Sequence, residues 1–117
     1  MPTRNQAQFI RLAIESVLQQ TDAAVELIVQ DACSDDRTPE ILATYGERLQ
    51  WHCERDSGQV DAIARGFRRA TGEILAWLNS DDAYLPGALA KVGAAFAADP
   101  ALDFVYGDVL EIDRTGR

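Results

Sequence analysis

The stretch that decides the fold is residues 27–38, which read Leu27-Ile28-Val29-Gln30-Asp31-Ala32-Cys33-Ser34-Asp35-Asp36-Arg37-Thr38. It begins with a short apolar run that is typical of a buried strand, and a polar loop rich in carboxylates follows. Thr38-Pro39-Glu40 then has the features of a helix start, with Thr38 as the cap and Pro39 at the first helical position. A strand, a loop and a helix in this order predict one unit of a parallel α/β sheet.

The same alternation continues along the chain. Apolar spacing predicts helices over residues 7–20, 59–70 and 85–98, in addition to the one that starts at Thr38. Short apolar runs predict further strands at residues 50–53, 74–78, 104–106 and 109–112. Strands that alternate with helices predict an α/β fold, a mostly parallel, Rossmann-like sheet with helices on both faces.

The two ends of the chain suggest an incomplete domain. The chain opens on a polar turn that leads directly into a helix, so Met1-Pro2 supplies at most the last residue of a first strand. Residues 113–117 resemble a turn between two strands. We therefore expect residues 1–117 to be a single partial domain, truncated at both ends, whose exposed sheet edges favour a homo-oligomer.

The composition excludes several classes of protein. The chain has 117 residues, 47% hydrophobic and 26% charged, which is ordinary for one globular domain. Its net charge of −8 argues against a nucleic-acid partner, since neutralising phosphates needs clustered Lys and Arg. We find neither a secretory signal nor an apolar run long enough to span a bilayer. We expect a cytoplasmic protein, or one at the inner face of the membrane in its full-length form.

The cysteines have no metal-ligand spacing. Cys33 and Cys53 lie far apart in the sequence, and His52 does not complete a zinc motif with them. Two reduced thiols are the simpler expectation for a cytosolic protein, ahead of a structural disulfide.

Carboxylates follow four of the predicted strands. Asp31 ends the first of these strands, Asp56 follows the second, Asp81 and Asp82 end the third, and Asp108 follows the fourth. Ligands of such sheets bind outside the carboxyl ends of the strands. Oxygen ligands without His or Cys favour Mg²⁺ or Mn²⁺, which complete their shell with water and phosphates. A helix-capping pair ahead of Pro86 is the alternative for Asp81 and Asp82, and the residues alone do not decide between the two.

Several strings in register resemble the family 2 glycosyltransferases with the GT-A fold: Pro2-Thr3-Arg4-Asn5 and residues 15–21, 27–38, 54–63, 70–74 and 78–87. They cover almost the whole chain. The resemblance implies the nucleotide-sugar (donor) binding half of a metal-dependent, inverting enzyme. Such an enzyme moves a sugar from a nucleotide diphosphate sugar, typically a UDP-sugar, to a hydroxyl of a glycan or lipid-linked acceptor.

The resemblance also implies site residues. Pro2 and Thr3 would line the nucleotide pocket, Asp31 would accept a hydrogen bond from the base, and Asp56 and Asp61 would border base and ribose. Asp81-Asp82 matches the acidic metal-binding motif, with Asp82 the direct ligand of Mg²⁺ or Mn²⁺ and Asp81 nearer the ribose or a metal-bound water. The catalytic base would lie beyond Arg117, and we expect Asp108 to be structural.

Three positions depart from the family pattern. Ala64 stands where many relatives have Asn, Cys33 where Gly is usual, and Ala32 where a second acid or small polar residue is usual. These departures bear on the identity of the donor more than on its class.

Two other functions fit part of the sequence. One is a nucleotide-binding or assembly fragment without turnover. The other is a phosphoacceptor module, which needs an acid pair after the first strand and a Lys after the last strand. The chain has Lys91 as its single Lys, and this residue falls within a predicted helix.

Overall fold

A computed structural model describes residues 1–113. Its strands are β1 (Pro2–Thr3), β2 (Ile28–Asp31) and β3 (Gln50–Cys53), and its helices are α1 (Ile10–Leu18), α2 (Thr38–Ala43), α3 (Gln59–Arg69) and α4 (Ala88–Ala98). A short 3₁₀ turn, Gly46–Arg48, precedes β3. The predicted turn at residues 113–117 lies almost wholly outside the described residues.

The three strands form one parallel sheet with β2 in the middle. Thr3 of β1 lies opposite Asp31 of β2, and Asp31 lies opposite Cys53 of β3. Because all three strands run the same way, their carboxyl ends meet at one edge. This row of Thr3, Asp31 and Cys53 marks the edge where ligands of such sheets bind.

Alternate residues of β2 face two different helix layers, as the period of a strand requires. Val29 is fully buried in a cluster with Ile10, Ile14 and Val17 of α1, and this cluster is completed by Leu27, Leu42, Tyr45 and Leu49. On the other face, Arg69 of α3 donates a 2.9 Å hydrogen bond to Oε1 of Gln30. The predicted α/β architecture with helices on both faces is confirmed.

The start of α2 differs by one residue from the prediction. Thr38 is the first helical residue, and Oδ1 of Asp36 accepts its backbone N–H at 2.8 Å. The Thr38 hydroxyl oxygen accepts the backbone N–H of Gln6 at 3.0 Å. Arg37 is the cap residue and makes no side-chain cap hydrogen bond, while Asp36 satisfies the first backbone N–H of the helix and Thr38 joins the helix to the loop after β1.

The strands predicted at residues 74–78, 104–106 and 109–112 are wrong. None of these segments forms a strand, and their apolar side chains are largely exposed, from Ile74 at 44% to Tyr106 at 87%. A strand exists through hydrogen bonds to a neighbouring strand. β1 has only two strand residues, and no strand within residues 1–113 pairs with its other side.

An apolar cavity of about 520 Å³ accompanies the missing strand at residues 74–78. It lies between α3, residues 74–78 and α4, with Phe67, Trp77 and Val92 among its lining residues. The helices over residues 1–113 are all too short or too polar to cross a membrane.

Candidate functional site at the carboxyl edge of the sheet

Thr3 and Asp31 are neighbours across the sheet, and both are buried. Asp31 is 0% exposed, yet its Oδ2 atom has no hydrogen-bond partner within residues 1–113. The hydroxyl oxygen of Thr3 is likewise buried without a partner in that part of the chain. Buried polar atoms are nearly always hydrogen-bonded in native proteins, so the unpaired oxygens of these two paired residues are candidate contacts for a ligand.

The other oxygen of Asp31 is held firmly by its own loop. Oδ1 accepts the backbone N–H of Ser34 at 3.1 Å and also the Ser34 hydroxyl. Ser34 in turn accepts the backbone N–H of Asn5 at 2.8 Å, which ties this loop to the one after β1. The carboxylate of Asp31 therefore has a fixed orientation, with Oδ2 left over.

Asp56 and Asp61 lie around the N-terminus of α3 and are engaged within the protein. Oδ1 of Asp56 accepts the backbone N–H of Gly58 at 3.0 Å, in the turn that starts the helix. Both carboxylate oxygens of Asp61 accept hydrogen bonds from Arg65, and Oδ2 also accepts the backbone N–H of Ser57. The hydrogen bonds from Arg65 lower the pKa of Asp61 to about 2. Asp61 thus holds the loop after β3, and its contact with a ribose stays a prediction.

Asp81 and Asp82 lie in an exposed turn that is tied to α3. Asn79 donates a 3.1 Å hydrogen bond to Oδ2 of Asp82, and Oδ1 of Asn79 accepts a 2.6 Å hydrogen bond from Gln59 at the start of α3. The Asp81 carboxylate has no hydrogen-bond or ion-pair partner within the described part of the chain. The turn is thus anchored beside the α3 N-terminus, where Asp56 and Asp61 also lie.

The helix-capping alternative for this acid pair is wrong. α4 begins at Ala88 with Gly87 in the cap position, and no side chain caps it. Gly87 has a φ of 75°, a left-handed backbone conformation that suits glycine. The carboxylates of Asp81 and Asp82 therefore have no role at the start of α4.

The expected convergence of acids from four strands is only partly present. Asp31 ends β2 and Asp56 follows β3, whereas Asp81 and Asp82 follow an unpaired segment and Asp108 is exposed outside any helix or strand. Within residues 1–113, no three acids, histidines or cysteines lie close enough to enclose a metal ion.

The residues present nevertheless fit a hard divalent ion. Mg²⁺ usually takes one or two protein carboxylates and fills its remaining positions with water and phosphate oxygens. Asp81 offers a carboxylate without a partner in the described chain, and Asp82 offers Oδ1 while Asn79 holds its Oδ2. An oxygen-only donor set of this kind suits Mg²⁺ or Mn²⁺.

Sequence reasoning missed the residues that hold the predicted site in place. Arg65 is four positions after Asp61 on one helix, and this spacing predicts an ion pair from the sequence alone. Ser34 follows Asp31 in a turn where an Asp side chain commonly accepts a nearby backbone N–H. The contact between Gln59 and Asn79 joins residues 20 positions apart and has no local signal.

Comparisons with known proteins identify the family of the chain. The family described as "Glycosyl transferase family 2" matches residues 1–116. A PGL/p-HBAD biosynthesis glycosyltransferase of Mycobacterium tuberculosis is 37% identical over 115 residues, which are 94% of this chain and 45% of that protein. The chain therefore spans less than half the length of this curated relative.

Solved structures are similar in fold as well. The mannosyltransferase PcManGT from Pyrobaculum calidifontis, in complex with GDP-Man and Mn²⁺, has a TM-score of 0.78 and 27% identity, over 86% of this chain and 32% of that one. S. aureus TarS in complex with UDP has a TM-score of 0.65 and 26% identity, over 83% of this chain and 30% of that one. The resemblance found in the sequence is confirmed, and the chain belongs to glycosyl transferase family 2.

Proposed function

We propose that the full-length protein transfers a sugar from a UDP-sugar to a hydroxyl group of a glycan or lipid-linked acceptor, and that this chain binds the donor. The observation that carries the proposal is the pair of buried oxygens without partners at the carboxyl edge, Thr3 Oγ1 and Asp31 Oδ2. A nucleotide that hydrogen-bonds to them relieves the cost of leaving them unpaired.

The base would bind between β1 and the loop after β2. A carboxylate accepts hydrogen bonds, so Oδ2 of Asp31 suits the imide N–H of uracil. The Thr3 hydroxyl can donate or accept, so it suits a base carbonyl or a ribose oxygen, and Pro2 would line the pocket beside it. Ser34 keeps Asp31 oriented by holding its other oxygen. The UDP that TarS binds supports a uridine nucleotide, and the GDP-Man of PcManGT makes GDP the comparison to test.

The diphosphate would bind at Asp81 and Asp82 through a divalent ion. Mn²⁺ in the PcManGT complex supports this part of the proposal. When bound, such an ion supplies Lewis-acid neutralisation of the diphosphate leaving group. Asp82 would be the direct ligand, Asn79 would keep its carboxylate oriented, and Asp81 would reach the ribose or a metal-bound water. Asp56 and Asp61 would border the base and ribose by fixing the loop after β3.

The transfer step needs a general base, which we propose lies outside these 117 residues. A carboxylate base on the acceptor side would take the proton of the acceptor hydroxyl, and a single displacement would then invert the anomeric carbon. The enzyme would work in the cytoplasm or at the inner face of the membrane, where nucleotide sugars would serve as its donors.

Calorimetric titration of the full-length protein with UDP, with and without Mn²⁺, tests the proposal. Asp31→Asn places an N–H₂ group where the base needs an acceptor, so UDP affinity should fall about 10–100-fold at either metal concentration. Asp82→Asn should abolish the increase in affinity that Mn²⁺ produces and leave the metal-free affinity unchanged.

The matched control is Asp103→Asn, which removes the same charge from an exposed loop after α4 and should change neither value. Wild-type protein that binds UDP equally well with and without Mn²⁺ would contradict the metal assignment. Wild-type protein that binds neither UDP nor GDP would overturn the proposal as a whole.

A second candidate is a nucleotide-binding or assembly unit without turnover. The exposure of large apolar residues, among them Trp77 at 48% and Leu110 at 72%, favours a surface that another chain covers, including a second copy through the open sheet edges. UDP binding without sugar transfer in the full-length protein, together with a dimer by size-exclusion chromatography, would favour this candidate. A monomer that transfers sugar would exclude it.

A further inference from the structure

Two cysteines that are distant in sequence meet beside Asp31. Cys33 and Cys53 are 20 positions apart, yet their Sγ atoms are 3.0 Å from each other, and both residues are exposed. Cys53 ends β3 directly opposite Asp31 of β2, and Cys33 is the second residue of the loop that follows Asp31. The pair therefore joins the β2 loop to the end of β3.

The backbone at Cys33 explains how the two thiols come together. Cys33 has a φ of 56°, a left-handed conformation that residues other than glycine adopt only at a cost. Glycine adopts that conformation freely, because it has no Cβ. Here a thiol occupies a position that needs no side chain for the turn itself.

The hydrogen bond between the thiols makes the two sulfur atoms different. The Cys53 S–H donates to Sγ of Cys33, and this hydrogen bond raises the pKa of Cys53 to about 11. Cys53 therefore keeps its proton at neutral pH. Since the thiolate is the nucleophile, Cys53 is the poorer first nucleophile, and Cys33 is the sulfur that reacts first.

We propose that Cys33 and Cys53 form a reversible oxidation site that reacts with low-molecular-weight disulfides, written RSSR. Sγ of Cys33 attacks one sulfur of RSSR, so a Cys33–SR bond forms as the S–S bond of RSSR breaks, and the other sulfur takes the proton of the Cys33 thiol and leaves as RSH. Sγ of Cys53 then attacks Sγ of Cys33, and the proton of Cys53 goes to the departing thiolate, which leaves as a second RSH. The two cysteines are thereby oxidised to one disulfide, and RSSR is reduced to two thiols.

The disulfide would act on the loop that orients Asp31. Bond formation draws the sulfur atoms about 1 Å closer together. Ser34 is the next residue after Cys33, and its two hydrogen bonds to Oδ1 of Asp31 depend on the position of this loop. Resting on the proposed function, the expected consequence is weaker UDP binding in the oxidised form, by about 2–10-fold if one hydrogen bond is lost.

Peptide mapping of the full-length protein tests the oxidation site directly. The protein is equilibrated in buffers with different ratios of reduced to oxidised glutathione, then alkylated and digested with trypsin. Cleavage after Arg11, Arg37, Arg48 and Arg55 places the two thiols in separate peptides, residues 12–37 and 49–55. We expect a disulfide-linked pair of these peptides in oxidising buffer, and its loss when the same sample is returned to reducing buffer. Absence of the linked pair at every ratio would overturn the proposal.

Two serine variants test the order of attack. Cys53→Ser should stop at a mixed disulfide between glutathione and Cys33, whereas Cys33→Ser should give little mixed disulfide at Cys53. The opposite pattern would overturn Cys33 as the first nucleophile. The wild-type peptide measurement needs no variant, so a folding defect in either variant does not affect it.

UDP titration of the reduced and the oxidised wild type separates this inference from the proposed function. A linked peptide pair in a protein that binds no UDP in either form would leave the oxidation site standing and overturn the nucleotide site. Equal UDP affinity of the two forms would overturn the coupling to Asp31.

Discussion

Residues 1–69 and residues 70–113 match the same family, yet they are packed very differently. The first region holds all three strands, the helices α1 to α3 and every member of the buried apolar cluster. Of residues 70–113, only Ser80 is buried, and no residue of α4 is fully buried. A family sequence pattern can therefore extend through a region whose apolar residues lack the partners that would bury them.

The clearest contrast is between β2 and residues 74–78, each of which contains a short apolar run. In β2, Val29 is 0% exposed because Trp51 of β3 pairs with it and its side chain packs in the apolar cluster against α1. In residues 74–78, Leu75 and Trp77 are 47% and 48% exposed and border the apolar cavity. Burial of such residues depends on neighbouring elements and not on their own preference for a strand.

The largest expected effect comes from making the same substitution in both regions. Ile14 of α1 is 0% exposed in the core, whereas Ile74 is 44% exposed. In the 117-residue chain, Ile14→Ala should lower the free energy of unfolding by about 2–5 kcal/mol, because it removes buried apolar contacts and leaves a cavity. Ile74→Ala should lower it by less than about 1 kcal/mol. Urea unfolding followed by circular dichroism measures both values.

Equal losses in the free energy of unfolding for the two variants would contradict the difference in packing between the regions. That outcome would mean that residues 70–113 are packed in solution, against a second copy or by closure of the apolar cavity. Repeating the measurement at two protein concentrations distinguishes these cases, since only association depends on concentration.

A smaller effect is expected at one of the contacts that join the two regions. Gln20 is buried; its side chain donates a 3.1 Å hydrogen bond to the carbonyl of Leu85 and accepts the backbone N–H of Leu89 in α4. Gln20→Ala should remove these two hydrogen bonds and a third to the Ser16 carbonyl within the first region, each of about 0.5–1.5 kcal/mol. Amide exchange in α4 should then become faster, while exchange in α1 changes little.

Gln19→Ala is the matched control, because Gln19 is the preceding residue and is exposed. Exchange in α4 that is as slow in Gln20→Ala as in the control would mean that other contacts hold this helix on the first region. Tyr84, whose backbone N–H donates to the hydroxyl of Ser16 at 3.1 Å, is then the contact to test next.

The sequence predicted the first region well because its signals are local. The apolar run of residues 27–29, the Pro near the start of α2 and the helical spacing of residues 10–18 each reflect contacts that are present in this chain. The strand predicted at residues 74–78 was equally well supported by its apolar residues. A strand also needs a neighbouring strand, however, and β1 has only two strand residues. Local strand preference and pairing with a neighbouring strand occur together in residues 1–69. In residues 70–113 the preference is present without the pairing.

The residues of the candidate site also differ in how readily the sequence predicts them. The acids could be found from the sequence, since their order along the chain resembles that of the family, and the structure places Asp31 beside Thr3. The groups that fix those acids could not be found as readily, because Gln59 and Asn79, or Cys33 and Cys53, meet only after the chain has folded. Distances between elements are set by packing, which no local spacing encodes.

The smallest expected effect concerns the ion pair that anchors α3, the last helix of the first region. Arg65 binds Asp61 at 2.8 Å and Glu54 at 3.4 Å, and its hydrogen bonds lower the pKa of Asp61 from 3.8 to about 2. A carboxylate whose pKa is lowered by folding stabilises the native state at pH values above its ordinary pKa. That contribution disappears as the pH falls through the pKa of the folded state.

The pH dependence of stability should therefore differ between the wild type and Asp61→Asn. The wild type should be the more stable of the two above a pH of about 4, and the gap should narrow as the pH falls toward about 2. Other acids titrate in the same range, but they are common to both proteins and cancel in the difference. In an Arg65→Gln background the gap and its pH dependence should both shrink, since Asp61 then lacks the partner that lowers its pKa. A gap that is constant from pH 2 to 5 would show that Asp61 contributes to α3 through its shape or its contact with Ser57, and not through its charge.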